Sequence, residues 1–389
     1  MESAMEDRVI CVMARMLDQE DGLGVYARNL LAHLLPLDPC TRYLILLPSA
    51  KNARAFAEHP NADVRVVHAP LKTLWDQVAV PLVARRENAD LIFNPKFSVP
   101  LLSRRPKTFV LQGSDWYVNP QNYQWWDNLY IRLTLPLYLR AADRLLAISE
   151  TVVADLSKYV KIDPGRVTVT YAAPAPHFNA RRNEEALAEF RREYRLPERF
   201  IFTVARTYHT GHGKMPEYPG GNNERLLRAY RRYRERGGTL PLVVAGRDID
   251  RYLRRRGFDD AALEGVHFTG FIPHERIHMG YQLAEFFVLV TLNESFAFPL
   301  VESLACGCPA IVPATGACPE IGGDAVRLVD PYDEEDIAAA LTELASSPER
   351  RDALRSAGLR RVKRFRWELT AQRTLTVFDT LAPRRALAA

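Results

Sequence analysis

Long apolar runs are missing from this sequence. No stretch of about 18 uncharged apolar residues occurs, and Met1 to Arg8 is acidic and polar, without the apolar centre of a secretory leader. A chain that crosses a membrane is not expected. Cysteine is scarce and poorly spaced for zinc: Cys11, Cys40, Cys306, Cys308 and Cys318 include no Cys-x-x-Cys pair, and their odd number argues against a disulfide framework. A reducing cytoplasm is the expected setting, and a peripheral contact with the inner face of the membrane is compatible with it. An excess of one charge is lacking too. Lys+Arg of 52 against Asp+Glu of 47 leaves +5 on 389 residues, far below the dense basic balance of a dedicated nucleic-acid binder, so no nucleic-acid partner is expected.

What is present is a rhythm. Apolar β-branched runs alternate with helical patterns: Arg8 to Ala14, a helix from Leu23 to Leu35, then Tyr43 to Leu47, Val64 to Val67, Leu91 to Phe93, Thr108 to Leu111 and Arg144 to Ile148. Strand, helix, strand is the signature of a parallel sheet covered on both faces. After the proline-marked stretch Tyr171 to Ala180 it restarts, with strands expected at Phe200 to Val204, Leu240 to Ala245, Val266 to Thr269, Phe286 to Leu292, Pro309 to Val312 and Ala325 to Val329. The class is α/β, with two doubly wound sheets in series. Residues 1–175 make the first domain and 176–365 the second. The amphipathic stretch in 366–389 follows the completed second sheet and must pack elsewhere.

The chemistry concentrates between Phe286 and Gly307. A strand ends near Leu292, a loop follows, and Pro299 suits the first turn of a helix that Gly307 would cap. A helix N-terminus then sits at the carboxyl end of a parallel strand, where open α/β sheets bind ligands and backbone N–H groups hold phosphate. Glu294 lies before this anion site and Glu302 is expected in the first turn after it. Carboxylates accept sugar hydroxyls well, so the pair suits the two sugars of a nucleotide sugar. The plainer alternative is that Glu302 complements the helix dipole and Glu294 is solvated.

Glu294-Ser-Phe-Ala-Phe-Pro-Leu-Val-Glu302 resembles the E-x-F-G-x-x-x-x-E signature of the retaining GT-B glycosyltransferases of family GT4. Gly270-Phe-Ile-Pro273, Leu304-Ala-Cys-Gly-Cys-Pro-Ala-Ile-Val312 and Pro319-Glu-Ile-Gly-Gly-Asp-Ala325 agree with it, as do Asp21-Gly-Leu-Gly-Val-Tyr-Ala-Arg28 and Ala147-Ile-Ser-Glu150. The resemblance implies two facing Rossmann-like domains, with the C-terminal helix crossing back to the first. It implies transfer of a hexose with retention, from GDP-mannose or next a UDP-hexose, to a hydroxyl of a glycan or lipid-linked acceptor. No cofactor or metal is expected, the nucleoside diphosphate sugar being a substrate. Glu294 would accept donor-sugar hydroxyls and Glu302 ribose hydroxyls. Phe296, Ala297 and Pro299, with the backbone N–H groups of the Phe298 to Leu300 turn, would meet sugar or phosphate oxygens, and Ile272 would lie near the base. Gly22 and Gly24 would let the first loop approach the diphosphate. Arg206, with Lys214 reaching back through the long Thr207 to Asn223 loop, would neutralise the leaving group. A non-catalytic nucleotide-sugar binder and a sugar-nucleotide epimerase are the rival readings.

Two positions depart from the family pattern. Gln112 stands where many relatives carry a histidine, and Ala297 replaces the usual glycine, which strains the backbone if φ must be positive. The aromatic stretch Trp116 to Tyr138 reads three ways: a core helix, an acceptor wall or an interfacial membrane patch built on Trp125, Trp126 and Tyr130 near Arg132 and Arg140.

Overall fold

The computed structural model describes residues 8–19, 22–205 and 221–384. The chain divides into two compact units, residues 1–172 with 366–389, and 173–365.

The first unit holds a seven-stranded sheet: β1 (Arg8–Met13), β2 (Thr41–Leu47), β3 (Ala62–Val66), β4 (Leu91–Asn94), β5 (Lys107–Leu111), β6 (Arg144–Ala147) and β7 (Val167–Val169), in the order β3-β2-β1-β4-β5-β6-β7. All pairings are parallel. Central strands have helices on both faces and so consist of continuous apolar residues: every residue of β1, β4 and β5 is buried, whereas the edge strands β3 and β7 are half-exposed throughout. The helix Trp367–Leu381 completes this unit. Trp367 stacks edge-on against Tyr26 of the helix Gly22–Leu37 at 5.5 Å, and Phe378 against Phe93 of β4 at 5.0 Å. Its far end is locked by Arg8, buried at the start of β1. Arg8 Nη1 donates to Asp379 Oδ1 at 2.7 Å and to the Ala382 carbonyl at 3.0 Å, while Nη2 donates to the buried Asp38 carboxylate at 2.7 Å. The carbonyl of Ala382, the residue that caps that helix, thus finds a cationic donor.

The second unit repeats the plan with β8 (Ile201–Val204), β9 (Leu242–Ala245), β10 (Val266–Gly270), β11 (Phe286–Val288), β12 (Ala310–Pro313) and β13 (Arg327–Val329), ordered β10-β9-β8-β11-β12-β13 and all parallel. Its core packs Ile201, Leu242, Phe286, Val288 and Ile311 against Tyr230 and Leu341 from the covering helices. The strand order reverses between β8 and β11. Loops leaving the carboxyl ends of strands at such a point diverge to opposite faces and leave a crevice. The loop after β8 carries Arg206 and Lys214, which lie outside the described residues; the loop after β11 carries Glu294.

Three details differ from the sequence expectation. The β11 ladder stops at Val288 rather than near Leu292, because beyond Leu289, whose N–H still bonds Ile311 O, the chain turns toward the loop. The sheet of the first unit gains β7, only three residues long. Gly22 and Gly24 lie inside the first turn of a helix, not in a loop.

Candidate functional site

The segment after β11 is shaped by one unusual residue. Ala297, immediately before the helix Phe298–Ala305, has φ 61° and ψ 65° and is fully buried. A left-handed conformation costs an L-residue roughly 1–2 kcal/mol, so the glycine usual at this position has a conformational reason and alanine here bears strain. At the other end Gly307, with φ 70°, closes the helix as expected of a left-handed cap. The preceding loop is held by close backbone approach: Ala317 N–H donates to the Glu294 carbonyl at 2.7 Å, and a Cβ on Gly316 would fall 2.6 Å from both Glu294 N and O.

The N–H groups at the helix start are fewer than expected. Pro299 has none, and Leu300 N–H bonds the Ala297 carbonyl at 3.0 Å. Of Phe298 to Leu300, only Phe298 keeps an N–H without a backbone partner among the described residues. The Leu300 side chain is core, and Phe296, also buried, stacks edge-on with Phe298 at 5.3 Å.

Glu302 is the fifth residue of the helix, in its second turn rather than its first. A dipole role would need it nearer the end. It is 6% exposed, and both oxygens are engaged: His274 Nε2 lies 3.1 Å from Oε1, and Tyr281 OH donates to Oε2 at 3.3 Å. Burial, reinforced by the Glu302 charge, lifts the Tyr281 phenol well above its ordinary value, so it stays a donor. Each carboxylate oxygen retains a lone pair for a further donor. His274 closes the loop that leaves β10, two residues after the buried Ile272, and its ring belongs to a cluster with Phe178 at 5.1 Å and His177 at 5.5 Å. Burial lowers the His177 and His278 pKa values, which keeps these rings neutral near pH 7.

Sequence reasoning missed His274 and Tyr281. His274 stands one residue past Gly270-Phe-Ile-Pro273, the stretch that signals the loop, and its partner is 28 positions away. The Cys318 thiol is pushed well up by burial, with the Glu294 charge adding to it, which sets Glu294 near the start of the short helix Cys318–Gly322.

Gly22, Gly24 and Gln112 belong to the first unit. Gly24 is required by its own surroundings, since a Cβ there would lie 1.9 Å from the Gln19 carbonyl oxygen. Gln112, just past β5, is buried and donates its amide N–H to the Pro95 carbonyl, which ties the loops after β4 and β5 together. The chain does contain one Asp-x-Asp triplet, Asp248-Ile-Asp250, at the start of the helix Ile249–Arg255, and the residue between the carboxylates is core. No group of three His, Cys, Asp or Glu able to hold a metal occurs among the described residues.

Residues 221–361 match the family model described as glycosyl transferases group 1, and residues 21–173 match that of glycosyltransferase family 4. O-antigen chain mannosyltransferase B of Escherichia coli is 25% identical over 330 residues, which span 82% of this chain and 79% of that protein. The serotype-specific mannosyltransferase WbdA of Escherichia coli is 26% identical over 246 residues, 62% of this chain but only 29% of that much longer protein. Among solved structures, Anabaena HepE in complex with UDP-glucose superposes with a TM-score of 0.74 at 15% identity, covering 96% of this chain and 100% of that one.

Proposed function

The chain belongs to the group 1 glycosyltransferases of family 4, built on two Rossmann-like units of the GT-B fold, and on that premise we propose that it transfers mannose from GDP-mannose, with retention, to a hydroxyl of a glycan or lipid-linked acceptor. UDP-hexoses are the second donor class. The names of the Escherichia coli relatives support mannose and a polysaccharide acceptor. The observation that carries the reading is Glu302: a buried carboxylate just inside the helix that follows the switch-point strand, held in one rotamer by His274 and Tyr281. A preset acceptor of this kind suits the ribose hydroxyls of a nucleotide.

In this mechanism Glu302 fixes the ribose and Glu294 the sugar hydroxyls, while the Phe298 N–H faces a phosphate or sugar oxygen. The bond from the anomeric carbon to the diphosphate oxygen breaks, and a bond to the acceptor oxygen forms on the same face. The acceptor proton passes to the departing diphosphate. Arg206, Lys214 and the helix N-terminus stabilise the growing negative charge, which makes a divalent metal unnecessary. The reaction takes place on the cytoplasmic side, where nucleotide sugars are supplied.

A thermal-shift panel of GDP, UDP, ADP and dTDP tests the donor. A nucleotide that binds only the folded state at about 100 times its Kd adds roughly 2.7 kcal/mol, and GDP should raise the midpoint most. Proton NMR of the first product should show the α anomer from an α donor, with turnover unaffected by EDTA. A β product, or no shift with any of the four nucleotides, would overturn the reading.

A further inference from the structure

Fourteen large apolar side chains are exposed among the described residues, and eight of them belong to two neighbouring segments of the first unit, with Leu71 and Leu102 just outside these. Scattered exposed apolar residues need no explanation, but a contiguous set does. The first segment is the helix Trp125–Ala141. One face is core, with Ile131, Leu135, Tyr138 and Leu139 buried. The opposite face is apolar as well: Trp125 is 70% exposed and Leu133 62%, with Leu129 and Leu137 completing a stripe at four-residue spacing and Trp126 beside it. A helix that is apolar on both sides ordinarily has something packed on each.

The second segment is the helical run from Lys72 to Arg86, which turns Trp75, Val80 and Ala84 inward and Leu74, Val78 and Leu82 outward, again four residues apart. The two stripes adjoin, since Lys72 Nζ lies 5.6 Å from the centre of the Tyr130 ring. The Gln77 side chain fastens the run to the next loop, donating to the Val99 carbonyl at 3.1 Å and accepting from Leu101 N–H at 2.8 Å. This sets Leu102, 93% exposed, across a groove of about 540 Å³ from Val78 and Leu82.

Charge decides what covers this face. Arg85, Arg86, Arg104, Arg105, Arg132 and Arg140 border it; Asp127 is the single exposed acid on the two helices. None of the six arginines is ion-paired with a described residue. A second copy of the chain docked face to face would bring two arginine rims together. An anionic bilayer would meet the rim with opposite charge and accept the apolar stripe, with the tryptophans at headgroup depth. No helix of the described residues is long and apolar enough to cross a membrane, so this contact would be to its surface.

We propose that the face formed by Leu74 to Leu82, Leu102 and Trp125 to Leu137 docks the first unit onto an anionic phospholipid surface. The inference lies wholly in the first unit and stands independently of the donor chemistry.

Cosedimentation of the full chain with vesicles tests it, comparing phosphatidylcholine alone with phosphatidylcholine containing about one third phosphatidylglycerol. Binding should require phosphatidylglycerol and weaken as salt is raised. The double variant Arg104→Glu/Arg132→Glu should bind roughly 25-fold less tightly or worse. Trp125→Ser/Leu133→Ser should lose at least tenfold, and thermal melts should show both variants folded, as substitutions of exposed side chains allow. Equal binding to neutral vesicles, no binding, or binding indifferent to both variants would overturn the proposal. So would a concentration-dependent dimer in ultracentrifugation that Trp125→Ser/Leu133→Ser disperses, since the face would then belong to a second copy.

Discussion

At the scale of single residues, Glu302 and Ala297 make opposite kinds of demand. In the proposed function Glu302 serves through its charge and fixed orientation, so Glu302→Ala should weaken nucleotide binding and turnover together by about 10- to 150-fold, the worth of a charged hydrogen bond of roughly 1.5–3 kcal/mol. His274→Ala leaves the carboxylate in place but releases Oε1, and should cost less than Glu302→Ala. Calorimetry with GDP checks both; unchanged affinity in Glu302→Ala would remove it from the site. Ala297 is valuable for its backbone. Ala297→Gly relieves roughly 1–2 kcal/mol of strain but loses a buried methyl, about 0.8 kcal/mol, and adds unfolded-state freedom, about 0.5–1 kcal/mol. The terms nearly cancel, so stability should stay within about 1 kcal/mol. Ala297→Val, β-branched where φ is +61°, should lose more than about 2 kcal/mol, and denaturant melts separate the two. Glu302 stands out in the sequence as a candidate because of its spacing from Glu294, and the structure finds it buried and hydrogen-bonded. His274 and Tyr281 are not, because nothing local distinguishes a histidine bound for a carboxylate from a solvated one.

Among the elements, central strands and long helices are readable because burial on both faces writes continuous apolar runs, whereas β7 is not: three half-exposed residues at a sheet edge carry no pattern. The end of β11 is misjudged for a related reason, since Leu289 and Val290 stay buried after the ladder stops, and apolar character reports burial rather than pairing. Gly24 shows a glycine with a local packing demand that the sequence does not reveal. Its neighbours suggest a phosphate loop, yet it opens a helix and is pressed against the Gln19 carbonyl, which Arg28 Nη1 holds at 3.1 Å. Gly24→Ala must displace backbone, and should cost roughly 1–3 kcal/mol. A melting midpoint unchanged from the parent would show that the Gln19 loop yields freely.

For the molecule as a whole, the decisive link is Arg8, which joins the first strand to the last helix through Asp38, Asp379 and Ala382. Burial works against the Asp38 charge, but hydrogen bonds from Arg8, Thr41 and Tyr43 outweigh it and hold the carboxyl below its ordinary value. Because the folded-state pKa is the lower one, this contribution is complete above the unfolded value near pH 4 and drains away as pH falls through the folded value. Arg8→Met leaves the buried Asp38 carboxylate with only the half-exposed Arg384, 3.0 Å from Oδ1, and should cost about 2–4 kcal/mol at pH 7, less than the roughly 3–5 kcal/mol of a fully stranded charge. The gap from wild type should narrow in melts below pH 4, as protonation removes the poorly compensated charge. The same link has a consequence for synthesis. Tyr26 and Phe93 emerge from the ribosome early, but their ring partners Trp367 and Phe378 are among the last residues made. At about 5–20 residues per second, the first unit waits some tens of seconds with one side of its core uncovered while the second is made and can fold. The order of completion is therefore the reverse of the order of translation, and a chain that stops short of Trp367 leaves its earliest part the least finished.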